Sequence, residues 1–521
     1  MMNSSNFGRV LLTLSLCVFA VCANATTFRV QCPNETPTHP LINGLPNPHI
    51  KCQQLSGGDG FASMADGSQT YIFSFGPLSG LKDIKDGLPG TEPASAFNVE
   101  WSDLTPATDP NAPATYASFN GAVGLVPDPE STPPNQLDGH VDPRMIMDVG
   151  VLNGNIPAPL MAIDEDDEFF VTLTNVGMVM RPDLFEQHTV HFHGYANASA
   201  FYDGVPDASA AINIGGSFTY YYLAPDAGTY MWHCHITPPE HLQMGMVGQL
   251  YVRPRQNQIT SGTLYSALAA YEAPVTSANP TTAEYDRLRK HCGNDIMCVT
   301  PLPASNTATH ANDKSGAPTK YAYNDGDGST AYDVEYPIQI HGFDPNFHFV
   351  GMTFNPESFV TMKDKYFLLN GRSYPDTVTE GSMNTQATDG LPRFSQPLPT
   401  IVNIPAGGKA LLRISSLDVT EHQTLASLGI PMKVVGENAR LLRDLDGNDM
   451  SYTTNSVSVG AGESADIILD ASDTSAYQAG QTYYLYTPNL DHLSNDAENF
   501  GGLMTEVHIC NTVDPKTKAC S

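Results

Sequence analysis

Positive charge is scarce in this sequence. Its 521 residues carry 25 Lys and Arg against 55 Asp and Glu, a formal net charge of −30 at pH 7. So few cations in so acidic a background cannot build the basic patch that neutralises phosphates, which excludes a nucleic-acid partner. The long-range field favours cationic partners instead, such as metal ions or a basic electron carrier. The same acidity also keeps an exported protein soluble.

Long apolar runs are equally few. The one marked run, residues 10–22, is too short to span a bilayer, and no later segment approaches the necessary length, so no membrane insertion is expected. With Arg9 ahead of it and Ala23-Asn-Ala25 behind, residues 1–25 read as a secretory signal, and the expected location is periplasmic or secreted. Cysteine is limited to nine residues, and seven remain once Cys17 and Cys22 leave with the signal. If Cys234 serves another purpose, Cys32, Cys52, Cys292, Cys298, Cys510 and Cys520 form an even set for three disulfides in an oxidising compartment. Fifteen pairings are open; the neighbour pairing would tie down an arm, a linker loop and the tail.

Long amphipathic helices are absent too. Short β-rich segments recur about every ten residues between turn signals, at 69–75, 146–152, 160–174, around His188, and at 217–223, 229–235 and 246–252. This rhythm predicts an all-β protein, a sandwich or barrel. Residues 26–66 show little periodicity, and 80–143 are so dense in Pro, Gly, Asp and Ser that they read as a loop insertion outside the core. Residues 254–335 are irregular, with a helical turn or two expected at 283–290. The spaced acids Asp325, Asp327, Asp444 and Asp446 lack the glycine register of a calcium loop and read as acidic turns. From 335 onward the chain echoes its first part: Asn370-Gly-Arg-Ser-Tyr-Pro375 repeats Asn153-Gly-Asn-Ile-Pro157, and Ala479-Gly-Gln-Thr-Tyr-Tyr-Leu-Tyr486 repeats Ala227-Gly-Thr-Tyr-Met-Trp-His233. The organisation expected is a signal (1–25), an arm with first strand and insertion (26–143), a metal-binding β domain (144–255), a linker (256–334), a second β domain (335–510) and a tail (511–521).

The chemistry is concentrated in two stretches, His188-Thr-Val-His-Phe-His-Gly194 and His233-Cys-His-Ile-Thr-Pro-Pro-Glu-His-Leu-Gln-Met-Gly-Met246. Strand side chains alternate with period two, so His191 and His193 share one face while His188, offset by three, takes the other. The same rule puts His233 and His235 opposite Cys234. One group is therefore His188 and Cys234, completed from the following loop by His241 and Met246. Two histidines, a thiolate and a thioether form a blue-copper ligand set. The other group, His191, His193, His233 and His235, can hold further copper across the strand. A His-X-His pair alone is more often a packed or surface pair, and zinc also accepts His and Cys. The shared parity of both stretches, the single cysteine and Met246 favour copper.

At these residues the chain resembles the multicopper oxidase family. The motifs His188-X-X-His191-X-His193-Gly, Asp203-Gly-Val-Pro206, Gly228-Thr-Tyr230 and His233-Cys-His-(five residues)-His241-(three residues)-Gly-Met246 are similar to its cupredoxin signatures, over about residues 144–255 and 335–510. The resemblance implies two cupredoxin-like Greek-key sandwiches. It also implies a type 1 copper on His188, Cys234, His241 and Met246, and type 2 or type 3 copper on His191, His193, His233 and His235. Electrons from a reductant would pass through His-Cys-His to a site that reduces oxygen. Two departures matter. The Cys234–His241 loop, with Pro238-Pro239, is longer than usual and resembles that of copper nitrite reductases. Only two His-X-His pairs occur among 16 histidines, where a trinuclear cluster needs four. The second domain keeps His422, His492 and Met504 but has Leu425, Ser427 and Tyr486-Thr-Pro488 where donors would stand, so it is expected to lack its own copper. His341, His348 and His422 are possible late ligands, each more readily explained as structural.

The function expected is thus an exported copper oxidoreductase acting on a small reductant, a metal ion or a cationic carrier. The alternatives are a nitrite-reductase-like enzyme and a non-catalytic blue-copper protein that carries electrons or sequesters copper. Assembly into a homo-oligomer is open.

Overall fold

A computed structural model describes residues 28–101, 118–195, 199–224, 226–260, 262–272, 306–309, 311–313, 316–353, 358–386, 392–444 and 447–521. The signal segment, the 283–290 helix, Cys292, Cys298 and Asp446 lie outside the described residues.

The expected all-β class holds. The first sandwich has strands β1 (Ile50–Ser63), β2 (Gln69–Pro77), β3 (Met161–Asp164), β4 (Glu168–Gly177), β5 (His191–Phe192), β6 (Ser217–Leu223), β7 (Gly228–His233) and β8 (Val247–Arg253). One sheet runs β2-β1-β4-β6 and the other β3-β8-β7-β5. Strand β4 shows why: Phe169, Val171 and Leu173 alternate into the core against Tyr220 and Tyr222, while Thr172 and Thr174 on the opposite face bond across to Thr219 and Ser217 at 2.8 Å each. Trp232 on β7 is completely buried in the same core. Each such large side chain removed from water contributes about 1.5–3 kcal/mol.

Three expectations need correction. Residues 146–152 are not a strand, because Pro143–Gly150 is a helix, α1. Asp142 caps it by accepting from the Arg144 amide, Pro143 occupies its first turn, and Ile146 and Val149, three apart, turn inward together. Residues 26–66 hold more than an arm: β1 pairs in parallel with β4 and antiparallel with β2. The 80–143 stretch does contribute to a core, since Leu81, Ala94, Phe97, Trp101, Ala122, Val123, Leu125 and Val141 pack with Ile146 and Val149 of α1.

The second sandwich comprises β9 (Val334–Phe343), β10 (Tyr366–Leu369), β11 (Val402–Pro405), β12 (Lys409–Ser416), β13 (Gln423–Leu428), β14 (Met432–Glu437), β15 (Ser456–Val459), β16 (Ser464–Asp470), β17 (Thr482–Tyr486) and β18 (Met504–Cys510). Its sheets run β10-β9-β12-β16-β14 and β11-β18-β17-β13-β15. Disulfides join Cys32 to Cys52 and Cys510 to Cys520, the neighbour pairing; the third pair lies outside the described residues.

An apolar cluster and a buried ion pair are among the contacts that fasten the sandwiches together. Phe343, Tyr366, Leu368 and Leu417 of the second share a cluster with Ile72, Ile156, Met231, Leu242 and Val247 of the first. Behind it the Glu335 carboxylate accepts from Arg253 at 2.9 Å and from Arg413 at 3.0 Å, both guanidinium groups coming from neighbouring strands.

Candidate metal centre

Around the end of β7 the structure brings together three of the four expected donors on each side. Among the described residues, two clusters of three bring one donor atom each to within 4.8 Å of one another: His188 with Cys234 and His241, and His191 with His193 and His233. The division follows the strand parity.

Backbone stitching places the first cluster. His188 forms an isolated antiparallel bridge with Ile212, and the next residue, Thr189, donates its amide to Cys234 Sγ at 3.4 Å. Cys234 in turn donates its amide to the Met246 carbonyl at 3.1 Å, and the Met246 amide returns to the His241 carbonyl at 2.8 Å. The long loop after Cys234 leads into a helix, α2 (Pro238–Met244), which carries His241, is opened by Pro238 in its first turn and is closed by Gly245 at φ 117°. His241 Nδ1 lies 3.2 Å from Cys234 Sγ and His188 Nδ1 lies 4.0 Å away. Cys234, Met246, His188 and His241 are all fully buried. Cys234 is the one free cysteine among the described residues.

Burial alone would keep the Cys234 thiol protonated, but the charge of His241 and the hydrogen bonds of His188 and His241 hold it well below the ordinary thiol value. Burial likewise opposes charge on His241, yet Cys234, with Glu186 beside Nε2, pushes it up to about 10. Burial pushes His188 down. These contacts favour the thiolate, the form in which a cysteine binds a metal. Glu186 carried no sequence signal beyond its place two residues before His188.

The second cluster is prepared by two backbone carbonyls. His191 Nδ1 donates to the Asp203 carbonyl at 2.6 Å and His233 Nδ1 to the Cys234 carbonyl at 2.8 Å. A carbonyl only accepts, so the proton sits on Nδ1 and each Nε2 keeps its lone pair. Burial pushes His191 and His193 down and His233 to about 3, so the rings stand neutral, the form that binds a metal. The His235 ring packs 5.0 Å from that of His191 and 5.4 Å from that of His233. The second sandwich reaches this face through Gly462, where an added Cβ would lie 2.8 Å from His193 Nε2.

The remaining candidates stand elsewhere. His341 Nε2 donates to the carbonyl of Leu242, His348 Nε2 lies 3.0 Å from that of Gln243, and exposed His422 lies beside Gly460. His492 Nδ1 is 2.9 Å from Gln423 Oε1, with Phe367 stacked on its ring, and no thiolate is near. Asp325 accepts from the amides of Gly328 and Thr330 within its own turn, as an acidic turn should.

The role of Asp203 gives a direct test. Gly204 next to it has φ 78°, and an added Cβ would sit 2.1 Å from the Val190 carbonyl oxygen. Gly204→Ala is expected to shift the Asp203 carbonyl from His191 and weaken metal binding at the histidine face about tenfold or more. Metal titration of the two proteins checks this; equal affinities would remove Asp203 from the site.

The donor types fit copper: an ionised thiolate with two imidazole nitrogens beside a buried methionine, and across the strand a set of neutral imidazoles. Residues 138–257 match the family model described as multicopper oxidase. A multicopper oxidase of Talaromyces pinophilus is 34% identical over 112 residues, 21% of this chain and 17% of that protein. A copper-containing nitrite reductase of Rhizobium meliloti is 32% identical over 115 residues, 21% of this chain and 27% of that protein. The chain therefore spans less than a third of the length of these relatives. Among solved structures, the blue copper oxidase from Nitrosomonas europaea superposes with a TM-score of 0.46 at 17% identity, covering 88% of this chain and 85% of that one. All eight expected donors fall within residues 138–257, the stretch that matches the multicopper oxidase family model.

Proposed function

We propose that this chain is a copper-dependent oxidoreductase of the multicopper oxidase kind. In this reading His188, Cys234, His241 and Met246 hold a type 1 copper, and His191, His193, His233 and His235 hold the second copper site. The observation that carries it is the position of two prepared donor clusters on either side of one peptide: the His233-Cys234-His235 backbone belongs to both. Bound copper supplies one-electron chemistry at the Cys234 cluster and a place to reduce an acceptor at the histidine face. The chain's own part is to keep the thiolate dry, fix the imidazole tautomers and supply the shortest covalent connection between the two clusters.

Oxygen is the acceptor favoured by the family. Nitrite is the second reading, supported by the histidine count: three ring nitrogens within 4.8 Å suit a single ion, and no further His-X-His pair exists in the sequence. The electron donor is a small reductant, a metal ion or a cationic carrier drawn by the net charge of −30. Export, to the periplasm or beyond the cell, agrees with the signal-like residues 1–25 and with two disulfides. No described helix is long and apolar enough to cross a membrane.

Copper analysis of the purified chain with optical and EPR spectra tests the reading. The expected result is at least two coppers per chain, one with an intense blue thiolate band and one without, and turnover with oxygen or nitrite. A single blue copper and no turnover would make it an electron carrier. A protein that copper cannot turn blue would defeat both.

A further inference from the structure

The helix that joins two of the copper donors is gripped from outside its own sandwich. Between His241 and Met246, both side-chain groups of Gln243 are engaged by the second sandwich. Its Nε2 donates to Asp364 Oδ1 at 3.0 Å, its Oε1 accepts from the Asp344 amide at 2.9 Å, and its carbonyl lies 3.0 Å from His348 Nε2. The preceding carbonyl, of Leu242, accepts from His341 Nε2 at 2.9 Å. The grip is dry: Gln243 is 0% exposed, His348 1%, His341 2%, and Asp344 and Asp364 4% each. Its far side is also braced. The neutral His348 ring is wedged between the Tyr71 carbonyl, 2.5 Å from Nδ1, and the Gln243 carbonyl, with one N–H between them; the Asp344 carboxylate caps α3 (Pro345–Met352) through the amides of Asn346 and Phe347, and Asp364 bonds Thr420. A Cβ on Gly342 would lie 2.2 Å from Asp364 Oδ2, so β9 itself leaves the space that carboxyl group occupies.

We propose that Gln243 and Asp364 are positioning residues for the Cys234 copper site, through which the second sandwich, lacking a copper thiolate of its own, fixes the separation of His241 and Met246. The proposal rests on the type 1 ligand assignment above. The argument is geometric. A loop of four residues between two ligands fixes their spacing only if its own torsions are fixed. Here one carbonyl and one buried amide side chain are pinned to a different sandwich, and His348 packs against the next carbonyl. Partners bonded directly to a ligand typically govern metal affinity by about 10–100-fold; Gln243 and Asp364 act one step further out, through the chain between the ligands, and the lower end of that range is expected. They also govern potential, because copper's two oxidation states prefer different ligand distances.

The test uses the full chain loaded with copper, and reads affinity at the blue site, the optical and EPR spectra and the midpoint potential. Gln243→Met keeps the side-chain volume and removes both side-chain bonds. It should weaken copper affinity about tenfold, alter the EPR copper splitting, and move the midpoint by about 59 mV if that tenfold falls on one oxidation state. Asp364→Ala, which leaves the ligand helix untouched, should act in the same direction. Asp364→Asn, whose side-chain oxygen can still accept from Gln243, should restore the parent values. Gln54→Ala, at a buried amide on β1 away from the grip, should leave all three readouts unchanged. Parent-like affinity, spectra and potential in both Gln243→Met and Asp364→Ala overturn the proposal while leaving the ligand assignment standing. Absence of a blue band from the unmodified chain overturns the assignment and the proposal with it.

Discussion

Cys234→Ser is expected to abolish the blue band entirely and to remove the copper that gives it. The thiolate supplies both the colour and most of the specificity of such a site, and serine cannot replace it, since its hydroxyl does not ionise near neutral pH. The effect should also stay local. Cys234 is held by its amide to the Met246 carbonyl, a bond that serine retains, and the His233 bond to the residue-234 carbonyl is a backbone feature as well. The variant should therefore fold, keep the histidine-face copper with its weak colour, and fail to turn over a reductant that delivers electrons at the blue site. Optical titration with copper, followed by metal analysis, is the measurement. A persistent blue band in Cys234→Ser would show the ligand assignment to be wrong.

The largest loss of stability is expected at Glu335. Its carboxylate accepts from Arg253 at 2.9 Å, from Arg413 at 3.0 Å and from the Tyr332 hydroxyl at 3.0 Å, and Arg413 is fully buried. Glu335→Leu leaves the fully buried Arg413 and the partly buried Arg253 without their main counter-charge, and breaking a buried pair in this way typically costs about 3–5 kcal/mol. Urea unfolding at neutral pH should show it. The pH dependence has a definite sign. Burial opposes ionisation of Glu335, but Arg253 and Arg413 outweigh it and hold the carboxyl group far below its ordinary 4.5. A depressed acid contributes its stability in full above the unfolded value and loses it as pH falls toward the folded one. The parent should thus lose stability on acidification below about pH 4.5, and Glu335→Leu should lose less over the same range. Equal slopes would show that the ion pair does not couple to folding.

The donor clusters were legible because strand geometry is rigid: parity separates Cys234 from His233 and His235 with no tertiary information. The all-β class was legible for a related reason, as β4 alternates cleanly between core and cross-strand threonines. Strand β1 was not. Its Gln-Gln-Leu-Ser-Gly-Gly-Asp-Gly run has no apolar period, and it is a strand because β2 and β4 pair with it on both edges. Residues 146–152 misled because their apolar content suits either state; the Asp142-Pro143 cap, a local helix signal, outweighs it. Glu186, Asp344 and Asp364 were invisible to any periodic reading. Each matters through a partner more than 50 residues away in sequence, and only the packed chain brings those partners within reach.

The mixed cluster of Ile72, Met231, Leu242 and Val247 with Phe343, Tyr366 and Leu368 bears on how the molecule comes apart. Separating the sandwiches would expose that apolar surface, unpin the Leu242 carbonyl and the Gln243 side chain and strand the Glu335 charges, all in one event. The two halves are therefore expected to unfold in one transition by calorimetry. The second sandwich, which has no free cysteine among its described residues, would then act as the mould that keeps residues 242–245 of the first in their ordered shape.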